Sequence, residues 1–167
     1  LLPNAQPLKL KLKTFCTYRD FHALVSPDSR TFDIAAVQHG LAVNPPDGPT
    51  YFLLCRGAAV EPQHDWHCGY YHATENYRGL DDLGDNLHVG TFHVQLQPGE
   101  QVTLVAGMQP DPQLDGERAL AERRSYERAL LSRSTLEDKS PEIEALILAA
   151  DQFIVARDIE GRPGHSV

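Results

Sequence analysis

The sequence predicts a mainly β protein, in which an antiparallel β-sandwich is followed by two C-terminal helices. Residues 8–15 alternate apolar and basic side chains with a period of two, which is typical of a strand with one buried face. Residues 90–107 alternate again on both sides of a Gln-Pro-Gly-Glu turn, which predicts a β-hairpin. After residue 109 the apolar residues take helical spacing. We therefore expect a sandwich domain over residues 1–108 and a helical linker segment over 109–167.

Shorter apolar runs predict the remaining strands of the sandwich. Residues 32–37 and 51–55 are rich in β-prone residues, and the second run is apolar enough for a strand covered on both faces. Between them, residues 44–50 hold three prolines and a glycine, which predicts a loop. Residues 65–74 are rich in aromatic side chains and predict one long strand.

The two predicted helices differ in character. Residues 117–133 are rich in charge with a thin apolar stripe, which indicates a solvated helix on a surface. The second helix, over residues 141–157, begins with Ser140 as N-cap and Pro141 at the first helical position. Its apolar residues from Ile143 to Ile154 cover much of its girth, so we expect burial on more than one side.

Composition and charge exclude several classes of protein. The chain has 167 residues, 41% of them hydrophobic, which is enough for one buried core. A net charge of −8 without a basic patch argues against nucleic acid and against anionic membrane surfaces as partners. No segment approaches the roughly 20 apolar residues of a membrane span, and the N-terminus lacks the layout of a signal peptide. Three cysteines are an odd number, which argues against a disulfide framework, so we expect a cytoplasmic protein.

Four carboxylates crowd around Arg78, namely Glu75, Asp81, Asp82 and Asp85. Paired carboxylates serve as acid and base in glycoside hydrolysis when the fold sets them at a suitable distance. Structural ion pairs are commoner than catalytic ones, so the favoured interpretation is that Arg78 pairs with one acid in a loop.

A histidine-rich stretch raises the question of a metal site. His64, His67, Cys68 and His72 fall within nine residues, and zinc sites use such residues at short spacing. In a strand, however, His67 points away from Cys68 and His72, which divides the group. We therefore expect no metal and no other cofactor, and a small metal-dependent hydrolase built on these residues is the alternative.

Aromatic residues of the same stretch suggest a carbohydrate surface. Trp66 and Tyr70 have the same parity on the predicted strand, so they can form one flat face on which a sugar ring stacks. The commoner role of such residues is packing in a sandwich core or against another domain.

Several motifs, in this order, resemble one family. They are "YRDFHAL" at residues 18–24, an aromatic strand running into "ATENYRGLDDLGDNLHVGTF", then "LQPGEQVTLVAG" and "LILAADQFIVAR". Together they resemble the N-terminal domain of bacterial and archaeal-type glycogen debranching enzymes, the amylo-α-1,6-glucosidases. The family's Glu-x-x-Arg-Gly-Leu-Asp run corresponds to Glu75, Arg78, Gly79, Leu80 and Asp81.

The resemblance has departures that bear on function. Val89 replaces a proline of the family pattern, and the glycine-rich opening segment of the family is absent. The family's catalytic carboxylates lie in a helical barrel that would begin where "GRPGHSV" ends, so the resemblance assigns no catalytic residue here. It implies that Gly79 permits a tight turn and that Arg78 bonds carboxylates or carbonyl groups.

The resemblance implies an accessory domain that packs on the catalytic barrel, contacts branched α-glucan and is not catalytic alone. We expect Trp66, Tyr70 and Tyr77 to stack on glucan and Arg78 and Asp81 to bond its hydroxyl groups. The expected partners are glycogen or maltodextrin and the barrel. Self-association through the helix at residues 141–157 is an alternative, which would make the chain an interaction protein.

Overall fold

A computed structural model describes residues 1–19, 23–28, 31–136, 140–159 and 162–166, with the backbone alone for 155–159 and 162–166. The chain divides into two compact units, Leu1–Gly116 and Glu117–Val167. The first unit runs through β1 (Leu8–Cys16), β2 (Asp33–Val37), β3 (Gly40–Asn44), β4 (Tyr51–Leu54), β5 (Ala59–Tyr71), α1 (Ala73–Tyr77), β6 (Leu83–Leu96) and β7 (Val105–Gly107).

The strands form two antiparallel sheets that pack face to face. One sheet has the order β1-β6-β5 and the other has the order β2-β3-β4-β7. The buried core takes side chains from both sheets, among them Leu41, Val43 and Leu53 from one and Leu87, Val89, Phe92, Val94 and Leu96 from the other. The predicted fold class, a mainly β sandwich followed by two helices, is confirmed.

Period-two alternation sets the two faces of the first sheet. In β1, Leu10 and Leu12 pack against the core while Lys9, Lys11 and Lys13 are exposed, as their spacing predicts. The central strand β6 is buried over most of its length because β1 and β5 cover its edges and the second sheet covers its inner face. Its Phe92 side chain is fully buried.

A glycine of β6 allows the two sheets to approach closely. A Cβ built on Gly90 would overlap the Leu41 side chain of β3 and come within 3.0 Å of the Glu61 carbonyl oxygen. The carbonyl oxygen of Gly90 accepts a hydrogen bond of 2.9 Å from the Thr14 hydroxyl. This bond lies where the β1–β6 register shifts, between Thr14 and Phe15, so it supports the ladder at its irregular point.

The predicted hairpin over residues 90–107 is wrong, although its turn is present. Gly99 has a φ of 84°, and the Glu100 N–H donates to the Gln97 carbonyl oxygen at 3.0 Å. Beyond the turn the chain does not pair back on β6, because β1 and β5 occupy both of its edges. Instead β7 joins the other sheet beside β4, with Phe52 opposite Gly107.

The hairpin of β2 and β3 includes a strand that the sequence patterns missed. Val37 lies opposite Gly40, so Gln38 and His39 form the two-residue connection. His39, the second residue of this connection, has a φ of 66°, in the left-handed region. The usual Asn-Gly signal is missing here, so the sequence patterns do not predict this turn.

The second unit contains both predicted helices. The first, α2 (Gly116–Arg133), is at least partly exposed at every residue and carries the ion pairs Arg118–Glu122 and Arg123–Glu127. The second, α3 (Pro141–Asp151), has Ser140 as N-cap residue and Pro141 in its first turn, as predicted. Tyr126 of α2 donates a 2.7 Å hydrogen bond to the Asp151 carboxylate at the end of α3. No helix of the described residues is long and apolar enough to cross a membrane.

The helix predicted over residues 141–157 is too long. It ends at Asp151, and the chain continues as β8 (Val155–Ile159), which pairs with β9 (Arg162–Ser166). The β-branched residues Ile154 and Val155 favour extended backbone, so the apolar run continues as a strand after the helix. The expected burial on several sides is not found within the described residues, since Leu146 and Phe153 are 64% and 69% exposed.

Removing the Phe92 side chain should test the core. Phe92→Ala deletes a ring that is fully buried, so we expect the free energy of unfolding to fall by about 3–5 kcal/mol. Urea denaturation followed by circular dichroism measures the change. Leu2→Ala is the control, because Leu2 is 78% exposed and its removal should change stability by no more than about 0.5 kcal/mol. Equal effects of the two variants would contradict the packing described above.

Candidate functional site

The Arg-Gly-Leu-Asp run ends a short helix in a defined C-terminal cap. The Leu80 N–H donates to the Glu75 carbonyl oxygen and the Gly79 N–H to the Asn76 carbonyl oxygen, both at 3.0 Å. This pair of bonds is the Schellman motif, which needs a left-handed residue just after the helix. Gly79 supplies that residue with a φ of 70°, so the expected role of this glycine in a tight turn is confirmed.

Hydrogen bonds also connect the two ends of this turn. The His72 N–H donates to the Asp82 carbonyl oxygen at 2.7 Å, and the Asn76 side-chain amide donates to the Asp82 carboxylate. These bonds hold the ends of β5 and β6 together around α1. Asp82 therefore has a structural role, and we call this hydrogen-bonded turn, residues 72–82, the platform.

The other carboxylates around Arg78 also have identifiable partners. Arg78 lies 3.7 Å from Glu75, and because the Arg78 side chain is largely exposed and that of Glu75 partly exposed, the pair contributes at most about 1 kcal/mol. Asp85 accepts a 2.9 Å hydrogen bond from the Gly69 N–H. Asp81 forms no side-chain hydrogen bond or ion pair with another described residue. The Asp81 carboxylate oxygens can therefore accept hydrogen bonds from a ligand.

A cavity of about 620 Å³ opens beside this platform. Its lining comes from the end of β5, from α1 and its cap, and from the chain after β1; the residues are Arg19, Leu24, Tyr71, His72, Ala73, Thr74, Glu75, Leu80 and Asp81. The volume is typical of sites for small ligands. Two carboxylates, a guanidinium and a tyrosine therefore share one concave surface. Residues 20–22 of the "YRDFHAL" motif lie outside the described residues.

An irregularity in β5 separates the aromatic residues that alternation would align. Trp66 lies opposite Leu87 and Tyr70 lies opposite Gly84, so β5 has one residue more than β6 between these pairs. The extra residue falls at Cys68 and Gly69, where Gly69 has a φ of 78°. Because of this bulge, Trp66 and Tyr70 lie on opposite faces of the sheet.

The residues expected to bind glucan therefore do not all lie at one surface. Trp66 packs against the core, with its ring centroid 6.2 Å from that of Phe32. Tyr70 is on the other face, and Tyr77 is 92% exposed on α1 outside the cavity. Asp81 lines the cavity, and Tyr71, which the sequence patterns missed, lines it too. A glycine inside an aromatic strand is the signal that could have indicated the bulge.

The histidine-rich stretch has structural contacts. His64 lies 3.2 Å from the Phe32 carbonyl oxygen, and the His67 ring meets the Phe15 ring edge-on at 4.9 Å. Within the part of the chain that the structure describes, no three histidine, cysteine or acidic side chains are placed to hold a metal ion.

A His-Thr-Asp arrangement on β5 and β6 resembles a catalytic triad only in its residue types. The His88 Nε2 atom lies 3.0 Å from the Thr91 hydroxyl, and its Nδ1 atom lies 3.9 Å from the Asp65 carboxylate. Both His88 and Thr91 are buried, so a substrate has no access to the hydroxyl group. The bond instead satisfies two buried polar groups.

The pKa of each of the three thiols is raised by its surroundings. Burial raises the pKa of the Cys16 and Cys55 thiols. Partial desolvation and the neighbouring Asp85 carboxylate raise the pKa of Cys68, which is exposed. Because the thiolate is the reactive form, a raised pKa makes each thiol less reactive at neutral pH.

Gly79→Ala should test the cap beneath the cavity. A Cβ at Gly79 meets nothing within 4 Å, so the only penalty is the left-handed backbone, and we expect a loss of about 1 kcal/mol in unfolding free energy. Gly107→Ala is the matched control, because its Cβ is equally free and its φ is not positive. Chemical denaturation of both variants measures the difference, and an unaffected Gly79→Ala protein would refute the cap.

Comparison with known proteins identifies the first unit. The family model described as glycogen debranching enzyme N terminal matches residues 1–103, which is more than half of the chain. Neither the curated proteins nor the solved structures give a match. The matched range holds nearly all of the sandwich, together with the Glu-x-x-Arg-Gly-Leu-Asp run and its cavity. The resemblance predicted from the motifs is confirmed, and the chain belongs to the family of glycogen debranching enzyme N-terminal domains.

Proposed function

We propose that the chain is an accessory N-terminal region of an amylo-α-1,6-glucosidase that packs on the helical catalytic barrel and contacts branched α-glucan. The family match over residues 1–103 supports the assignment to a debranching enzyme. The chain contributes binding and shape, and the hydrolytic carboxylates belong to the barrel. We also propose a cytoplasmic location, which is supported by three free cysteines, all within the described residues.

The cavity beside α1 is the observation that supports glucan contact. Its lining offers the Glu75 and Asp81 carboxylates as acceptors for sugar hydroxyl groups and the Tyr71 ring as an apolar surface for a sugar ring. Asp81 is suited to this role because it has no hydrogen-bond or ion-pair partner among the described side chains. The platform below it is cross-linked by hydrogen bonds, which limits the conformational entropy lost on binding.

The other expected binding residues take different positions in this proposal. Tyr77 and Arg78 are exposed on the same turn, where they can meet a glucan chain that extends out of the cavity. Trp66 supports the sheet from the core side, and Tyr70 faces away from Trp66. We therefore assign direct contact to Tyr71 and Asp81 first, and to Tyr77 and Arg78 second.

The second unit supports packing on a barrel. Leu146 in α3 and Phe153 and Ile154 after it are between 52% and 69% exposed, which is unusual for three large apolar side chains so close in sequence. A helical barrel offers the apolar surface that would cover them. Pairing with a second copy of the chain is the competing occupant, and light scattering of the isolated chain distinguishes the two.

Glucan contact is tested by native electrophoresis in gels with and without glycogen. We expect glycogen to retard the wild-type chain and soluble maltodextrin to relieve the retardation. Tyr71→Ala and Asp81→Asn should each weaken the apparent affinity by about tenfold, equivalent to about 1.4 kcal/mol, because each removes a contact in the cavity.

Tyr70→Ala is the matched control, because Tyr70 is the neighbouring tyrosine and does not line the cavity. Its mobility in glycogen should equal that of the wild type. Unchanged mobility of the wild-type chain, or equal effects at both tyrosines, would overturn the glucan proposal and leave packing on the barrel as the function.

A further inference from the structure

The strand β1 is an open edge of the first sheet. It pairs with β6 on one side, and no backbone hydrogen bond of a described residue reaches its other side. Its nine residues span about 30 Å. An edge of this kind presents a row of N–H and C=O groups to which another extended chain can bond.

The opposite edge of the sheet is much less suited to such pairing. In β5, Pro62 lacks an N–H donor, and the register shifts twice, after Pro62 and after His67. In contrast, β1 is regular from Leu8 to Thr14, and at its single shift the extra residue belongs to β6. Only one edge of this sheet is therefore straight and rich in donors over its length.

Three lysines mark the open edge with positive charge. Lys9, Lys11 and Lys13 are exposed on the outer face of β1, about 7 Å apart. None of them forms an ion pair or hydrogen bond with a described residue. Their neighbours on β6 are Gln95, His93 and Thr91, none of which is acidic. Glu61 of β5 lies opposite Thr91 and contacts His93 at 3.4 Å. The row is thus an unneutralised cationic stripe on a chain of net charge −8.

The stripe determines what can pair with the edge. A second copy of β1 would bring lysines beside lysines in either orientation, and like charges on neighbouring strands are destabilising. A strand with acidic residues at alternate positions would instead place a carboxylate beside each lysine. Its other face would carry apolar residues, because Leu8 is 42% exposed and Leu10 is only partly buried on the inner face.

We propose that β1 is a docking edge for an extended segment of a partner protein in which acidic and apolar residues alternate, added to the sheet as a fourth strand. Backbone hydrogen bonds supply affinity, and the lysine row selects the acidic segment. This inference does not depend on glucan contact, because none of the residues on β1 lines the cavity beside α1.

The test uses the 167-residue chain and fluorescence anisotropy of labelled, capped nine-residue peptides. The probe alternates glutamate and valine. One control alternates lysine and valine, and a second repeats the probe with the backbone nitrogens on one edge methylated, which removes donors but keeps charge. We expect saturable binding of the probe and at least about tenfold weaker binding of both controls. Binding to this edge requires both acidic side chains beside the lysines and backbone hydrogen bonds to β1.

A charge-reversed chain makes the test specific for this edge. In the triple variant Lys9→Glu, Lys11→Glu and Lys13→Glu, the preference should switch to the lysine-valine peptide. The matched control is Arg124→Glu, Arg128→Glu and Arg133→Glu at exposed positions of α2, which changes net charge equally and should keep the preference of the wild type. Far-ultraviolet circular dichroism checks that both variants fold.

Three results would overturn the proposal. Equal binding of the probe and its methylated form would show attraction by charge without strand addition. Absence of saturable binding would show that the lysines only protect the edge from aggregation. A concentration-dependent dimer of the wild-type chain that the probe peptide dissociates would make a second copy of the chain the occupant of this edge.

Discussion

The fold depends on one strand that is paired on both edges and buried on its inner face. Because β1 and β5 flank β6, the chain that leaves β6 at the Gln97–Glu100 turn has no free edge to return to and joins β4 in the second sheet. That crossing links the two layers of the sandwich. Because Gly90 has no side chain, the Leu41 side chain of the opposite sheet packs directly against the backbone of β6. This close approach of the two sheets leaves Phe92 fully buried.

The geometry of the candidate site is set by the bulge in β5 and by the turn that connects β5 to β6. The bulge at Cys68 and Gly69 turns Tyr70 away and aligns Tyr71 with the cavity, while the ties of Asp82 to His72 and Asn76 fix the turn between the strands. Neighbouring acidic residues therefore have different roles. Asp82 accepts a hydrogen bond from Asn76 in the turn, Asp85 accepts one from the Gly69 N–H in the bulge, and Asp81 lines the cavity. The position of each carboxylate in the folded chain, and not the residue type, determines its role.

The surface carries opposite charges in different places, although the net charge is −8. Carboxylates collect around the turn after β5, and lysines line the free edge of β1. An average over the sequence conceals this division, because a row of three lysines at alternate positions is not a basic run. The consequence is two separate surfaces of opposite charge, for which we propose a neutral, hydroxyl-rich ligand and an acidic strand respectively.

The sequence by itself determined the fold class, the solvated helix α2, the start of α3, the turn at Gly79 and membership of the family. Each of these is a local property, namely side-chain periodicity, a cap, a glycine or an ordered set of motifs. The tertiary structure decided the partner of β7 and the separation of Trp66 from Tyr70. Pairing and register depend on which edges are free and where a residue is inserted, and a single inserted residue reverses every face that follows it.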